Sequence, residues 1–478
     1  MAHDELTNMT ACEIVALLKK GEITPLDLLE AAERRIEAVD PHVNALPTLC
    51  FDRARDHARR LMDKPISERG RLAGLPMPIK DLNEVAGVLT THGSPIYKDH
   101  IPETSDIVVA NLETEGAVVY GKSNVPEFGA GGNTFNEVFG PTRNPWDTRM
   151  SASGSSGGSA AALATGMAWV AHGNDMGGSL RNPASFCGVV GLRPSPGRVA
   201  RTPGEMVDSL LAVDGPMARN IADMALLLDA MCGEYPDDPL SLPRLSASYA
   251  EATQRPEKPL RIAFSADLGI TPVDPQVADI CRQAALKLEH AGVTVVEDHP
   301  NLSDAHEVFQ TLRAYQFAAS HRQKLQDFPE LLKQEMIWNV EKGERLSASQ
   351  IIDAQSKRSA ILRRTIDFFK TYDLLLTPAT IVPPFPVNER YVATCAGKTF
   401  DTYIDWLAIA YGITLTTAPA LSMPCGFTDT GLPVGLQVVA APRNEMGLLR
   451  WAAFIEGELD TTIRKPILPN VTHNMAMK

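Results

Sequence analysis

Apolar residues recur at helical spacing across residues 8–39 and predict two amphipathic helices, with Thr10 placed to cap the first and Gly21 to end it. Thr24-Pro25 opens the second, because proline's missing N–H and fixed φ suit a first helical turn. Similar spacing predicts helices at 50–62 and at 105–117, the latter ending at Gly116. The stretch 73–90 (AGLPMPIKDLNEVAGVLT) reads as a buried strand and turn, and VVYGK at 118–122 as a short core strand. In AAALATGMAWVAHG (160–173) the Ala-rich start suits a tightly buried helix and the end a strand. The segment from 214, DGPMARNIADMALLLDAMCG, has the capped periodicity of a helix. LRIAFSADLG (260–269) and VTVVEDH (293–299) bracket a helix, as a strand–helix–strand unit would. Residues 303–370 read as mostly helical, DLLLTPAT (373–380) as a core strand, and 419–441 as a hairpin with a glycine-containing turn.

The alternation predicts an α/β fold. No internal repeat or low-complexity linker divides the chain, so a single large domain over residues 1–478 is expected, with a helical segment at about 1–65. A chain of 478 residues buries about three-quarters of its unfolded surface. Its 44% hydrophobic and 22% charged fractions exclude a disordered tail, a collagen or a coiled coil. The net charge of −13 argues against a nucleic-acid binder that covers phosphates with Lys and Arg. Short basic clusters such as Arg53–Arg60 (RARDHARR) are interrupted by acids and alanine and read as solvated helix faces.

Seven dispersed cysteines without a CxxC pair, and an N-terminus without a basic n-region or long apolar run, point to reduced thiols in the cytoplasm. No apolar run is long enough for a membrane span. The eleven histidines form no HExxH or HxH, so no metal site and no cofactor are expected.

The unusual part is 129–159, a long stretch rich in Gly, Ser and Asn, followed by a second glycine turn at 174–185. Polar segments of that length in a compact domain are usually functional. In Gly154-Ser155-Ser156-Gly157-Gly158 and Gly177-Gly178-Ser179, the absence of Cβ atoms lets backbone N–H groups converge on a ligand oxygen. Either the loops merely connect elements, or Ser179 sits beside an oxyanion hole. The first turn also matches GxSxG around Ser156, but the preceding DTRMSAS is no core strand, so a nucleophile elbow is rejected. A serine nucleophile needs a base. Lys80, in the apolar GLPMPIKDL, is either a snorkelling chain, a partner of Asp81, or a desolvated amine that is neutral near pH 7. Cys187, in SFCGVVG, reads as a small packing residue.

Together PIKDL (78–82), GSSGGSAAALATG (154–166), GNDMGGSLRNPASFCGVVGLRPSPGRV (173–199), DGPMARNIADMALLLD (214–229) and GLPVGLQVVAA near the C-terminus resemble the amidase signature family. The resemblance implies a mixed central β-sheet flanked by helices, with a catalytic core at about 66–230 and a more variable substrate-side region at about 300–410. It implies a Ser–Ser–Lys triad of Ser179 as nucleophile, Ser155 as the linking serine in a cis peptide with Gly154, and Lys80 as terminal base. Ser156, Asp175 and Arg181 would support it, and the backbone N–H groups of Met176, Gly177, Gly178 and Ser179 would form the oxyanion hole. Met176 departs from the threonine common at that position.

The implied reaction is amide hydrolysis through a serine acyl-enzyme, on a small-molecule amide, anilide, carbamate or oligoamide. A homodimer is common in the family. Aromatic residues at 300–410 (Tyr315, Phe317, Trp338, Tyr403, Trp406) are either core or pocket lining, and Met150, Phe128, Trp338 and Trp406 are the candidate substrate contacts. Two alternatives remain. One is the glutaminase component of a glutamyl-tRNA amidotransferase, although MGGSLRN stands here where that component has TGGSIRQ. The other is a non-catalytic binding protein on the same fold, which would require Lys80, Ser155 or Ser179 to be lost or misplaced.

Overall fold

Local chemistry sets the first helices. Thr10 Oγ1 accepts the Glu13 N–H while the Glu13 carboxylate accepts the Thr10 N–H, a reciprocal cap that opens the helix Ala11–Lys20. Gly21 closes it at φ 72°, a left-handed conformation that costs glycine nothing. Thr24 and Asp27 repeat the cap at the start of Pro25–Val43. The helices Phe51–Met62 and Ile107–Thr114 follow, as their periodicity predicts.

The structure, a computed structural model, describes residues 3–204, 206–462 and 465–471. Its centre is an eight-stranded mixed sheet in the order 294–297, 261–264, 374–378, 433–439, 420–427, 190–193, 213–218 and 170–175. The first three strands run parallel, joined by the crossover helices expected of parallel neighbours, and each later pair is antiparallel. The hairpin predicted at 419–441 is Ala420–Phe427 paired with Pro433–Val439. Helices such as Ile221–Met231, Pro275–His290 and Glu445–Leu459 cover the sheet, and one core joins residues from Leu6 to Leu459. The fold is therefore mixed α/β, with a large sheet flanked by helices. Among the described residues no helix is long and apolar enough to cross a membrane.

Two segments differ in detail from their sequence pattern. The start of the segment from 214 is not helix but the strand Val213–Ala218, with the helix beginning only at Ile221 behind the Asn220 cap. Its apolar period is shared with a strand that the sheet buries on both faces. DTRMS does form a strand, Asp147–Ser151, but in a separate two-stranded ribbon rather than in the central sheet.

A smaller sheet carries Pro76–Lys80 parallel to Val118–Ser123, and Thr48–Leu49 antiparallel to the same strand. The strand Pro76–Lys80 packs beside Val170–Asp175, so the ends of both strands meet. The helix Gly157–Ala164 (GGSAAALA) is wholly buried against these strands, which only small side chains allow. A Cβ on Gly158 would lie 2.4 Å from the Asn124 nitrogen and 2.6 Å from the Ala45 carbonyl, neither able to move alone.

Gly158→Ala is accordingly expected to destabilise the protein by about 2–3 kcal/mol. Gly457→Ala, at an exposed helical position where an added Cβ meets nothing, should be neutral or stabilising by up to about 1 kcal/mol. Thermal melts of the two variants side by side check the contrast.

Candidate active site

Lys80 ends its strand fully buried, and no carboxylate of the described residues bonds its amine. Asp81, the neighbour that could have neutralised it, points instead to the buried Lys122, whose Nζ lies 3.0 Å from Asp81 Oδ1. Lys80 Nζ contacts neutral oxygens: Asn174 Oδ1 at 2.6 Å, Ser155 Oγ at 2.7 Å and Ser156 Oγ at 2.8 Å. Burial pushes its pKa down to about 7, against the opposing pull of Asp175 and Asp214.

The hydrogen-bond inventory around Nζ is specific. Asn174 Oδ1 can only accept. Ser156 directs its own hydroxyl at the Asn174 carbonyl, 3.4 Å away, so its oxygen accepts from Lys80 as well. A neutral amine has two N–H groups and one lone pair, which leaves the lone pair for the Ser155 hydroxyl. An ammonium would instead donate to all three oxygens. Either protonation state is satisfied without moving an atom.

Three chain segments converge here. Ser155 and Ser156 lie in the glycine turn before Gly157–Ala164, and the Gly154–Ser155 peptide is cis. Asn174 and Asp175 end the strand Val170–Asp175, where successive side chains point to opposite faces. One therefore meets Lys80 and the other the turn that carries Ser179. Ser156 N–H donates to the Ser179 carbonyl at 3.2 Å, tying the two turns together. Behind them, the Lys80 N–H reaches His172 Nδ1 (3.4 Å), His172 Nε2 meets Asp214 (3.2 Å), and Asp214 accepts from Arg201 Nε (2.7 Å).

Asp175 organises the Ser179 turn. Its carboxylate accepts from Arg181 Nε and Nη2 at 3.0 and 2.8 Å and from the Gly178 and Leu180 N–H groups at 3.0 and 3.1 Å. Arg193 Nη1 adds a bond to the Asp175 backbone carbonyl at 2.6 Å. Burial alone would raise the pKa of Asp175, but the two guanidiniums and the N–H donors hold it well below the usual carboxylate range. Gly178 sits at φ 117°, where an added Cβ would also strike Asn182 and Ala410. Its N–H donates to Asp175, whereas it was expected to serve the oxyanion hole.

Ser155, Met176, Gly177 and Ser179 line a cavity of about 550 Å³. Of the expected substrate contacts only Phe128 lines it, joined by Phe317 from the aromatic set. Met150 does not: it bridges to Pro386 from the separate ribbon. Trp406 is buried in the core against Phe385, and Trp338 packs edge-on against Tyr403. Apolar character predicted burial for these residues but not which side of the wall they would occupy. Phe309, Ile404 and Leu407 supply further apolar lining that sequence reasoning missed. Asn174 and Arg193 were also missed. Strand alternation around Asp175 offered a signal for the first, whereas Arg193 arrives from another strand without one. Cys187 is buried with its thiol pKa pushed up, an inert packing residue.

Known proteins share this architecture. A family model described as Amidase matches residues 27–449. The chain is 34% identical over 482 residues to an acylamidase of Rhodococcus erythropolis, covering 98% of each chain. It is 35% identical over 500 residues to a glutamyl-tRNA(Gln) amidotransferase subunit of Moorella thermoacetica, covering 97% of this chain and 99% of that one. Among solved structures it is similar to a bacterial aryl acylamidase of the amidase signature enzymes, with a TM-score of 0.88 at 27% identity over 95% of this chain and 96% of that one. It is also similar to a substrate complex of 6-aminohexanoate cyclic dimer hydrolase, with a TM-score of 0.86 at 29% identity over 97% and 100%.

Removing the Asp175 charge strands two buried guanidiniums. Asp175→Asn is expected to destabilise the fold by about 3–5 kcal/mol, a loss that denaturant melts at neutral pH would register.

Proposed function

From the premise that this chain belongs to the amidase signature family and hydrolyses amide C–N bonds, we propose that Ser179 is the nucleophile, Ser155 the proton relay and Lys80 the general base. The observation that carries this reading is the bond inventory at Lys80 Nζ, which leaves the lone pair of the neutral amine to the Ser155 hydroxyl. Lys80 takes the Ser155 proton as Ser155 takes that of Ser179, and the Ser179 oxygen attacks the substrate carbonyl. The N–H groups of Met176, Gly177 and Ser179 receive the developing oxyanion. The proton then returns along the relay to the leaving nitrogen, the C–N bond breaks, and an acyl-Ser179 ester remains. Water, deprotonated by the same relay, attacks that ester and releases the acid. Asp175 and Arg181 hold the Ser179 turn, and Ser156 accepts an N–H of the Lys80 amine and so orients its lone pair.

The cavity supports an apolar acyl or aryl amide as substrate. Met176, Phe128, Phe309, Phe317, Ile404 and Leu407 supply an apolar part of its wall, beside polar residues such as Asn174, Gln316 and Ser320. The lining guanidiniums are already engaged, Arg201 with Asp214, and Arg313 with Asn339 and the Tyr403 hydroxyl. A glutaminase reading is favoured by the full-length similarity to an amidotransferase component, but a zwitterionic substrate would find few unpaired charges here. The core shared from Leu6 to Leu459 supports one domain working as a unit. The free cysteines suit a reducing compartment such as the cytosol.

Ser179→Ala and Lys80→Ala are each expected to lower kcat by at least about 10³-fold while leaving the melt cooperative. Because only the neutral amine accepts a proton, kcat/KM on an uncharged amide should rise with pH through about 7 and level off above it. A profile flat from acid to alkaline pH, or a Lys80→Ala enzyme of near-native rate, would rule out the relay. A panel of glutamine, benzamide, a 4-nitroanilide, an aryl carbamate and a short oligoamide, with Ser179→Ala as blank, tests the substrate class. Turnover of the aryl members supports it, and turnover of glutamine alone overturns it.

A further inference from the structure

The loop that follows Lys80 brings together three side chains that the triad does not use. His100 Nε2 lies 3.0 Å from Glu84 Oε1, and His92 Nε2 lies 3.7 Å from the same oxygen. One donor atom from each residue falls within 4.8 Å of the other two, a grouping found nowhere else among the described residues. At metal–ligand distances of about 2.0–2.1 Å, tetrahedral donors stand about 3.3 Å apart, so the two Glu84 contacts already lie within tenths of an ångström of that spacing. We propose that Glu84, His92 and His100 form a three-ligand site for a divalent transition metal of the zinc class.

The donor set selects that class. Two imidazoles with one carboxylate suit zinc and its borderline neighbours, whereas calcium and magnesium require more oxygen ligands. The rings are also held ready. His92 and His100 stand within 24° of parallel with centroids 6.4 Å apart, and Tyr97 packs edge-on against both, at 5.0 and 5.5 Å. Backbone bonds fix the loop around them: Thr90 N–H to the His100 carbonyl, His100 N–H to the Tyr97 carbonyl and Phe128 N–H to the His92 carbonyl.

The site opens onto the wall of the catalytic cavity, because Glu84 and His92 both line it while His100 stands behind them. Three protein ligands leave a fourth position for water or for a polar group entering the cavity. Lys324 and Lys122 stand near His92 and oppose a cation, although Asp81 balances the second. Affinity in the micromolar range is therefore expected, rather than the tighter binding of a structural zinc.

The test is titration of the chelator-treated full chain with Zn2+ by calorimetry at neutral pH, and with Co2+ by visible absorption. One saturating ion per chain and the intense d–d bands of tetrahedral cobalt are expected. His100→Ala and Glu84→Gln should each weaken binding at least tenfold while circular dichroism and melting stay unchanged. The two variants act on different ligands, so a folding defect in one leaves the other decisive. Absence of saturation into the millimolar range would overturn the site. So would binding that both variants leave intact, or a thiolate-to-cobalt charge-transfer band that assigns the ion to a cysteine.

Discussion

Asp81 adjoins one buried lysine in the chain and binds another. Lys122 takes Asp81, and Lys80 is left among the neutral oxygens of Ser155, Ser156 and Asn174. An amine in that position can shed its proton near neutrality because desolvation disfavours the charge and, among the described residues, no direct ion pair restores it. The arrangement constrains everything around it. Two strands must end at the same point, and a glycine turn must deliver two hydroxyls to one nitrogen. The helix behind that turn must be thin enough to let the backbones approach.

A second electrostatic unit stands one residue further along. Asp175 binds Arg181, Arg193 and the N–H groups of its own turn, all out of solvent. Such a cluster contributes little net stability over a well-packed apolar one, but losing one partner is costly because the others are left charged and dry. What it supplies is position. The turn carrying Ser179 is held by a carboxylate whose pKa lies well below the usual range.

The two units separate the roles of charge in this molecule. One is compensated and structural, the other uncompensated and able to exchange a proton. Similarity to acylamidases, to a cyclic dimer hydrolase and to an amidotransferase component fits this division. Lys80, Asn174 and Asp175 sit at the ends of buried strands, whereas the apolar wall at Phe309, Phe317, Ile404 and Leu407 comes from segments later in the chain.

Sequence alone determined what depends on neighbours in the chain. The caps at Thr10 and Thr24, the stop at Gly21, the hairpin at 420–439 and most helices were legible, because hydrogen bonds between nearby residues decide them. Lys80, Ser155 and Ser179 were legible only through their motifs, since nothing local brings residues so far apart in the chain together. The order of the eight strands, the placing of Asn174 on Lys80 and of Arg193 on Asp175, and the diversion of Asp81 to Lys122 were decided by the tertiary structure. So was the retreat of Trp338, Trp406 and Met150 from the cavity that Phe128 does line. An apolar side chain is driven out of water with equal force into a core or a pocket wall. Which of the two it meets depends on surfaces contributed by residues far away in the chain.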